Sequence, residues 1–321
     1  MKSTALIIGV TGQDGSYLAK HLIENGYEVY GSSRDKFTCD KTKLINLDIS
    51  KKVKLISIAP NDFRSVIKAI TTIQPKEVYN LSGQTSVGLS FEQPVECLES
   101  ISSATLTILE AIRYFDKNIR FFNAGSTDCF GDTGNKAAIE STPFGPTSPY
   151  SVAKCSSYWQ VSSYRKAYNL FACTGLLSNH ESPFRSKRFV TQKIVKTLIK
   201  IKYKKIKNLK LGNIHVQRDW GYALNYVEAM WKMLQYKNPD DYIISTGKTY
   251  SVKTFVDKVA KYIDFDLIWK GKGINESGFD RNSNKTIIKI DKKLFRPNEI
   301  NHIVGKPNKA KKILKWVPKT N

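Results

Sequence analysis

Along the first half of the chain, short continuous apolar runs alternate with stretches whose apolar residues recur every three to four positions, the patterns of buried strands and amphipathic helices. Residues 5–10 read as a strand, and residues 16–25 as a helix closed by Gly26. A strand over 28–30 follows, then a helix over 66–73, a strand over 77–81, a helix over 104–114 and a strand over 120–124. Beyond Pro149 a long helix runs to about Tyr168, and residues 172–177 form another strand. This alternation predicts an α/β protein, a Rossmann-like doubly wound parallel sheet with helices on both faces. From Ser178 the pattern loosens into longer loops, with helices over 190–201, 224–235 and 252–263. These later pieces are expected to form a smaller, mixed lobe over the strand ends, where open α/β sheets bind ligands.

Between the first strand and first helix stands Gly9-Val10-Thr11-Gly12-Gln13-Asp14-Gly15. Glycines there let the backbone turn tightly and approach a pyrophosphate, which the positive helix N-terminus then receives. A glycine triplet also suits a plain strand–helix turn. Its place in the first βα unit favours a dinucleotide. Residues 1–178 are therefore read as an NAD(P)-binding domain. Residues 179–321 are read as a substrate-binding lobe, with some segments returning to the Rossmann sheet. The second strand is followed by Arg34-Asp35. An arginine there accommodates a 2′-phosphate and a carboxylate receives ribose hydroxyls, so Arg34 points to NADP while Asp35 leaves NAD open.

Composition changes this picture little. The chain has 321 residues and a formal net charge of +23. The excess lies in surface-like lysine runs such as Lys200, Lys202, Lys204, Lys205 and Lys207, without a nucleic-acid-binding signature. We expect no nucleic-acid partner, although the field favours an anionic small substrate. No apolar run reaches membrane-spanning length, and no leader precedes the first strand, so a cytoplasmic protein without membrane association is expected. Five cysteines without close CxxC spacing read as reduced thiols. With only four scattered histidines, no metal site is expected.

Tyr150 and Lys154 lie four residues apart, on one face of the long helix. A nearby ammonium, with cofactor charge, is expected to lower the phenol pKa so that tyrosinate accepts a proton from a sugar hydroxyl. Such pairs also arise by chance. This one gains weight from Ser148-Pro149 at the helix entrance and from Gly125-Ser126-Thr127-Asp128 directly after the strand over 120–124. Those hydroxyl and carboxylate groups suit a capped loop equally well.

The chain resembles the bacterial GDP-mannose 4,6-dehydratase family, extended short-chain dehydrogenases/reductases that act on nucleotide sugars. The shared blocks are GVTGQDGSYLA from Gly9, PYSVAK from Pro149, NHESP from Asn179, FVTQKI from Phe189, RDWG from Arg218 and FRP from Phe295. The resemblance implies conversion of GDP-mannose, or a close GDP-manno-sugar such as GDP-manno-heptose, to the 4-keto-6-deoxy product with internal hydride transfer through NADP. It implies Tyr150, Lys154, Ser126 and Asp128 as the catalytic set, with Asp128 as base at C5. Gly9, Thr11, Gly12, Gln13, Asp14, Gly15, Arg34, Leu81, Ser82, Gly83, Gln84, His180 and Arg185 match cofactor positions. Ser86, Asn179, Lys193, Arg218 and Arg296 match positions near the GDP-sugar. The family forms dimers through the long tyrosine helix, and some members form tetramers.

Three departures stand out. The family usually carries glutamate where this chain has Asp128, one methylene shorter. Ala59-Pro60 replaces the acidic pair that touches adenine, leaving Asp62 as a helix cap. The arginine-rich loop that helps tetramers form is shortened. Family members also continue into a further helix beyond the point matching Trp316-Val317-Pro318. A GDP-sugar reductase or epimerase, or a non-catalytic nucleotide-binding regulator on the same fold, are the alternative functions.

Overall fold

The computed structural model describes residues 2–134 and 136–320. Its first half alternates as the pattern predicts: β1 (Thr4–Ile8), α1 (Gln13–Glu24), β2 (Glu28–Ser33), α2 (Thr42–Asn46), β3 (Val53–Ser57), α3 (Phe63–Ile73) and β4 (Glu77–Asn80). There follow α4 (Val87–Glu92), α5 (Pro94–Leu98), a π-helical turn over Glu99–Ser103, α6 (Ala104–Phe115), β5 (Arg120–Ala124), α7 (Pro149–Tyr168) and β6 (Ala172–Leu177). Gly12 precedes α1, which starts three residues earlier than the hydrophobic period suggests because polar Gln13 and Asp14 occupy its first turn. Asp62 does cap α3, its carboxylate accepting from the Arg64 amide at 3.0 Å. The helix before residue 104 is masked in the sequence by Ser100, Ser102 and Ser103, two of which are nevertheless buried.

The second half comprises β7 (Asn179–Glu181), α8 (Val190–Lys202), β8 (Leu209–Leu211), β9 (Gln217–Arg218), β10 (Trp220–Tyr222), α9 (Ala223–Gln235) and β11 (Tyr242–Ile244). It ends with β12 (Tyr250–Ser251), α10 (Val252–Tyr262), β13 (Leu267–Lys270), β14 (Ser277–Asp280), β15 (Lys285–Ile290) and β16 (His302–Ile303). The main sheet has seven strands in the order β11-β6-β5-β4-β1-β2-β3, paired in parallel throughout. β1 sits inside it, so Ala5, Leu6, Ile7 and Ile8 are buried on both faces, which is why it reads as an unbroken apolar run. One face is covered by α1 and α9, packed around Leu18, Leu22, Tyr226, Met230 and Trp316. The other is covered by α3, α6 and α7 through Val66, Ile70, Ile108, Ile112 and Val161. Burying each such side chain stabilises the fold by about 1.5–3 kcal/mol.

β11 returns from beyond residue 179 to the sheet edge beside β6, and α9 comes with it. The rest of the second half builds the sheet β13-β14-β15-β8, packed with α8 and α10 around Ile194, Leu198, Val256 and Ile288. Two small sheets, β10-β7 and β12-β9-β16, connect this lobe to the main sheet. The strand order reverses between β1 and β4, leaving a crevice at their carboxyl ends. No helix among the described residues is long and apolar enough to cross a membrane.

Candidate active site

Two adjoining cavities open at that crevice. The larger, about 970 Å³, follows the glycine loop. Gly9 has φ +91°, and a Cβ there would stand 2.9 Å from the Leu81 carbonyl oxygen. A Cβ on Gly15 would meet the Gly9 carbonyl oxygen at 2.3 Å. These two positions accept only glycine, and they bring the backbone flush with the groove. Gly12, at the N-terminus of α1, has no side chain satisfying the first helical amides, so those donors and the helix dipole face an incoming anion. A dinucleotide pyrophosphate fits this cradle.

Gly9, Thr11, Gly12, Gln13, Asp14, Gly15, Arg34, Leu81, Ser82, Gly83 and Arg185 all line this groove. Gln84 does not. Its carbonyl oxygen accepts from the Ser86 amide at 2.6 Å, which turns the side chain into its own loop. The Arg34 side chain is 81% exposed and lies 3.5 Å from Glu96. Asp35 is committed locally, accepting from the Phe37 amide at 2.8 Å and the Thr38 hydroxyl at 2.9 Å. Sequence reasoning missed Lys43, whose ammonium donates to the Thr11 carbonyl at 3.0 Å, and Lys187 and Lys196 on the same wall. A lysine on a five-residue helix gives no local signal of this.

The second cavity, about 320 Å³, gathers Ser126, Asp128, Tyr150 and Lys154 with Ser86, Asn179, His180, Lys193, Arg218 and Arg296. Ser126 follows β5 and accepts from the Asp128 amide at 3.1 Å, which caps the turn and leaves its own proton to donate. Ser148 and Ser151 form a reciprocal cap that fixes the entrance of α7 and hence Tyr150. Lys154 is 6% exposed and donates to the Ala124 carbonyl at 2.6 Å. Burial draws its pKa down to about 8.

The phenol does not behave as the sequence suggests. Burial, and then the negative charge of Asp128, push the Tyr150 pKa up, with the Ser126 hydroxyl acting in the opposite direction. Lys154 is 5.8 Å from the ring centroid and spends its strongest bond on Ala124. Within the chain itself, Tyr150 therefore keeps its proton firmly, and the Asp128 carboxylate is the negative charge beside it.

The far wall is cationic but bridged. Glu299 accepts from Arg218 at 2.8 Å and from Arg296 at 3.2 Å, so one carboxylate holds both guanidinium groups. Glu299 has no motif to announce it and lies 81 residues from Arg218. Burial lowers the pKa of Arg218 and of Lys193, which marks both as desolvated cations suited to a diphosphate. Between the cavities, His180 contacts Asp14 at 2.8 Å, and Arg185 lies 3.4 Å from Glu181 and stacks over Phe189.

The fold is shared with solved nucleotide-sugar enzymes of the short-chain dehydrogenase/reductase class. A dTDP-glucose 4,6-dehydratase from Streptomyces venezuelae, solved with NAD and TYD, superposes with a TM-score of 0.84 at 15% identity, covering 99% of this chain and 92% of that one. A UDP-glucose 4-epimerase from Thermus thermophilus, solved with NAD, gives 0.80 at 21% identity, covering 99% and 94%. At sequence level, the GDP-mannose 4,6 dehydratase family profile matches residues 6–321. The GDP-mannose 4,6 dehydratase of Drosophila melanogaster is 43% identical over 98% of this chain and 82% of its own length. That of Dictyostelium discoideum is 40% identical over 100% and 92%, and that of Vibrio cholerae 38% over 99% and 90%. The chain belongs to the GDP-mannose 4,6 dehydratase family.

Proposed function

We propose that this protein is a hydro-lyase that converts GDP-mannose, or a close GDP-manno-sugar, to the GDP-4-keto-6-deoxy sugar, with NADP as its cofactor. The observation that carries this reading is the meeting of Ser126, Asp128, Tyr150 and Lys154 in one cavity beside the glycine loop, in a member of this family. The glycine loop and Lys154 would hold a nicotinamide dinucleotide, which would supply a reversible acceptor for the hydride exchanged between C4 and C6. With the charge of a bound cofactor added to that of Lys154, Tyr150 would act as tyrosinate and take the O4 proton, and Ser126 donates a hydrogen bond to O4. The C4 ketone acidifies C5, Asp128 removes the C5 proton and passes it to the C6 hydroxyl, which leaves as water, and Tyr150 returns its proton to C5 as the hydride reaches C6. Lys154 orients the cofactor ribose, and its charge lowers the cost of forming tyrosinate. Arg218 and Arg296 hold the diphosphate, and His180 and Arg185 contact the cofactor.

NADP is preferred because the groove wall carries Arg34, Lys43, Lys187 and Lys196 against two carboxylates, Asp40 and Asp14, the latter already held by His180. Asp35, the residue that would favour NAD, is already used by its own loop. The deciding experiment incubates purified protein with GDP-mannose: the product loses the mass of one water and the cofactor balance stays unchanged. Stoichiometric loss of NADPH with no dehydration identifies a reductase and overturns the proposal.

The protein is proposed to act as a homodimer in the cytoplasm, where its five free cysteines stay reduced. Residues 94–115 and α7 pack side by side and leave Val95, Leu98, Leu106, Val152 and Trp159 exposed. An apolar two-helix face of this kind suits an isologous contact with a second copy. Sedimentation of the wild type as a dimer and of Trp159→Glu as a monomer tests this.

A further inference from the structure

The His180 ring stands between the two cavities with an acceptor at each nitrogen. Nδ1 is 2.7 Å from the Ser178 carbonyl oxygen and Nε2 is 2.8 Å from Oδ2 of Asp14. A neutral imidazole has one N–H, so it satisfies both contacts only if Asp14 carries the proton instead. Three features keep that carboxylate ionised. Asp14 lies in the first turn of α1, where the helix dipole favours negative charge. Its Oδ1 accepts from the Gln13 amide at 3.0 Å. Arg185 adds positive charge nearby. The proton therefore resides on the ring.

Charge balance gives the same answer. The groups facing His180 are Asp14 from α1, Glu181 on its own strand, Arg185 in the following loop and Tyr226 of α9 stacked at 4.5 Å, while Asp219 lies one group further off, accepting from the Ser178 hydroxyl. Arg185 balances Glu181 at 3.4 Å, and Asp219 is held by the Thr246 hydroxyl and the amides of Thr246 and Gly247. Only a cationic His180 balances Asp14 in this enclosed site. The pair also joins two regions distant in sequence. Gln13 donates to the His180 carbonyl at 3.1 Å and accepts from the Ser182 hydroxyl at 2.8 Å, so the glycine loop is tied to β7 at two points and to the residue that follows it at a third.

We infer that Asp14 and His180 form a fixed ion pair, His180 carrying a proton on each ring nitrogen, and that Asp14 acts through His180 as the positioning residue holding the glycine loop in register with the sugar cavity. The charge state stands on the chain alone; its effect on turnover rests on the dehydratase reading. His180 has its pKa raised and Asp14 its pKa lowered, as an ion pair requires. The raised group keeps its proton as pH passes the ordinary 6.5 and loses it above that value, so the alignment fails on the alkaline side.

Nitrogen-15 NMR of the histidine side chains tests this in the full-length protein without any sugar, the His180 signals being assigned by their loss in His180→Asn. The expected result is two N–H signals at pH 7 and a titration midpoint above 6.5. A single N–H signal at pH 7, or a midpoint at or below 6.5, overturns the ion pair. In Asp14→Asn the same ring should become neutral at pH 7. Its kcat should fall roughly 10- to 100-fold with the GDP-sugar KM changed less than about threefold, as for a misaligned reacting pair. The alkaline limb of its pH profile should shift to lower pH, and Asp14→Glu should recover part of the loss. A lowered melting temperature with kcat and pH limb unmoved overturns the positioning role. If the NMR result holds but no GDP-sugar is dehydrated by the wild type, it is the functional reading that fails.

Discussion

The cofactor groove and the sugar cavity share a wall and are built by opposite means. The groove is largely backbone: glycines that admit no side chain, uncapped helical amides, and the carbonyl of Leu81 against Gly9. The sugar cavity is mostly side chain, and several of its charges are engaged, Lys154 with Ala124 and both Arg218 and Arg296 with Glu299. Geometry alone makes a groove receptive to phosphate. A cavity that must move protons needs groups drawn from distant parts of the chain and held against their solvation. The cavity should therefore lose most from single side-chain changes, and the groove least.

The largest effect is expected at Tyr150. Tyr150→Phe keeps the ring and removes only the proton-transferring hydroxyl, so turnover should fall roughly 100- to 10,000-fold with dinucleotide binding unchanged by titration. Near-normal turnover removes Tyr150 from the chemistry. Next is Asp128→Asn, which leaves oxidation at C4 possible and blocks proton removal at C5. Mixing it with GDP-mannose should accumulate reduced cofactor and a 4-keto sugar retaining its C6 oxygen, seen by absorbance and mass. Dehydration within a few-fold of wild type would make Asp128 merely a turn residue.

Lys154 sharpens the contrast because its burial works against the fold. A lysine held at about 8 binds fewer protons folded than unfolded between that pH and its ordinary 10.5. Stability then rises with pH across this window, and at pH 7 the buried charge is a net cost. Lys154→Met should stabilise the protein at pH 7 by about 3 kcal/mol, less whatever the bond to Ala124 contributes, and abolish turnover. A lower melting temperature at pH 7 would show that this bond outweighs the desolvation.

The same division explains what the sequence reveals. β1, the glycine loop, α7 and the Tyr150–Lys154 spacing are local, each specified within a few turns or one strand, and all are legible. β3 has one buried residue in five and shows no apolar run. After Leu177 every strand but the six-residue β15 spans only two to four residues, too short for any period to appear. Glu299 and Lys43 reach the site only because distant segments fold together, so no spacing announces them. Helical spacing puts Lys154 on the Tyr150 face, but it cannot show that Ala124 of β5 competes for the ammonium or that burial and Asp128 push the phenol pKa up in the chain alone.

The smallest expected effect separates the two groove cations, Arg34 and Lys43, that are proposed to meet the 2′-phosphate of NADP. Arg34 is 81% exposed and paired only with Glu96 at 3.5 Å, so holding it on a phosphate costs side-chain entropy and is screened by salt. Lys43 is already tethered to the Thr11 carbonyl at 3.0 Å, close to the loop that receives the pyrophosphate. Less freedom is lost when a tethered cation engages an anion, so Lys43→Ala should weaken NADP binding at least as much as Arg34→Ala. We expect roughly three- to tenfold for each at low salt, shrinking as salt rises. The informative readout is the ratio of NADP to NAD affinity. Lys43→Ala also releases the Thr11 carbonyl, and any loosening of the loop lowers both affinities together, whereas loss of a phosphate contact lowers only NADP. Equal losses for the two dinucleotides would assign Lys43 to loop support and leave Arg34 as the discriminating cation. Tighter binding of NAD than NADP by the wild type would overturn the NADP assignment itself.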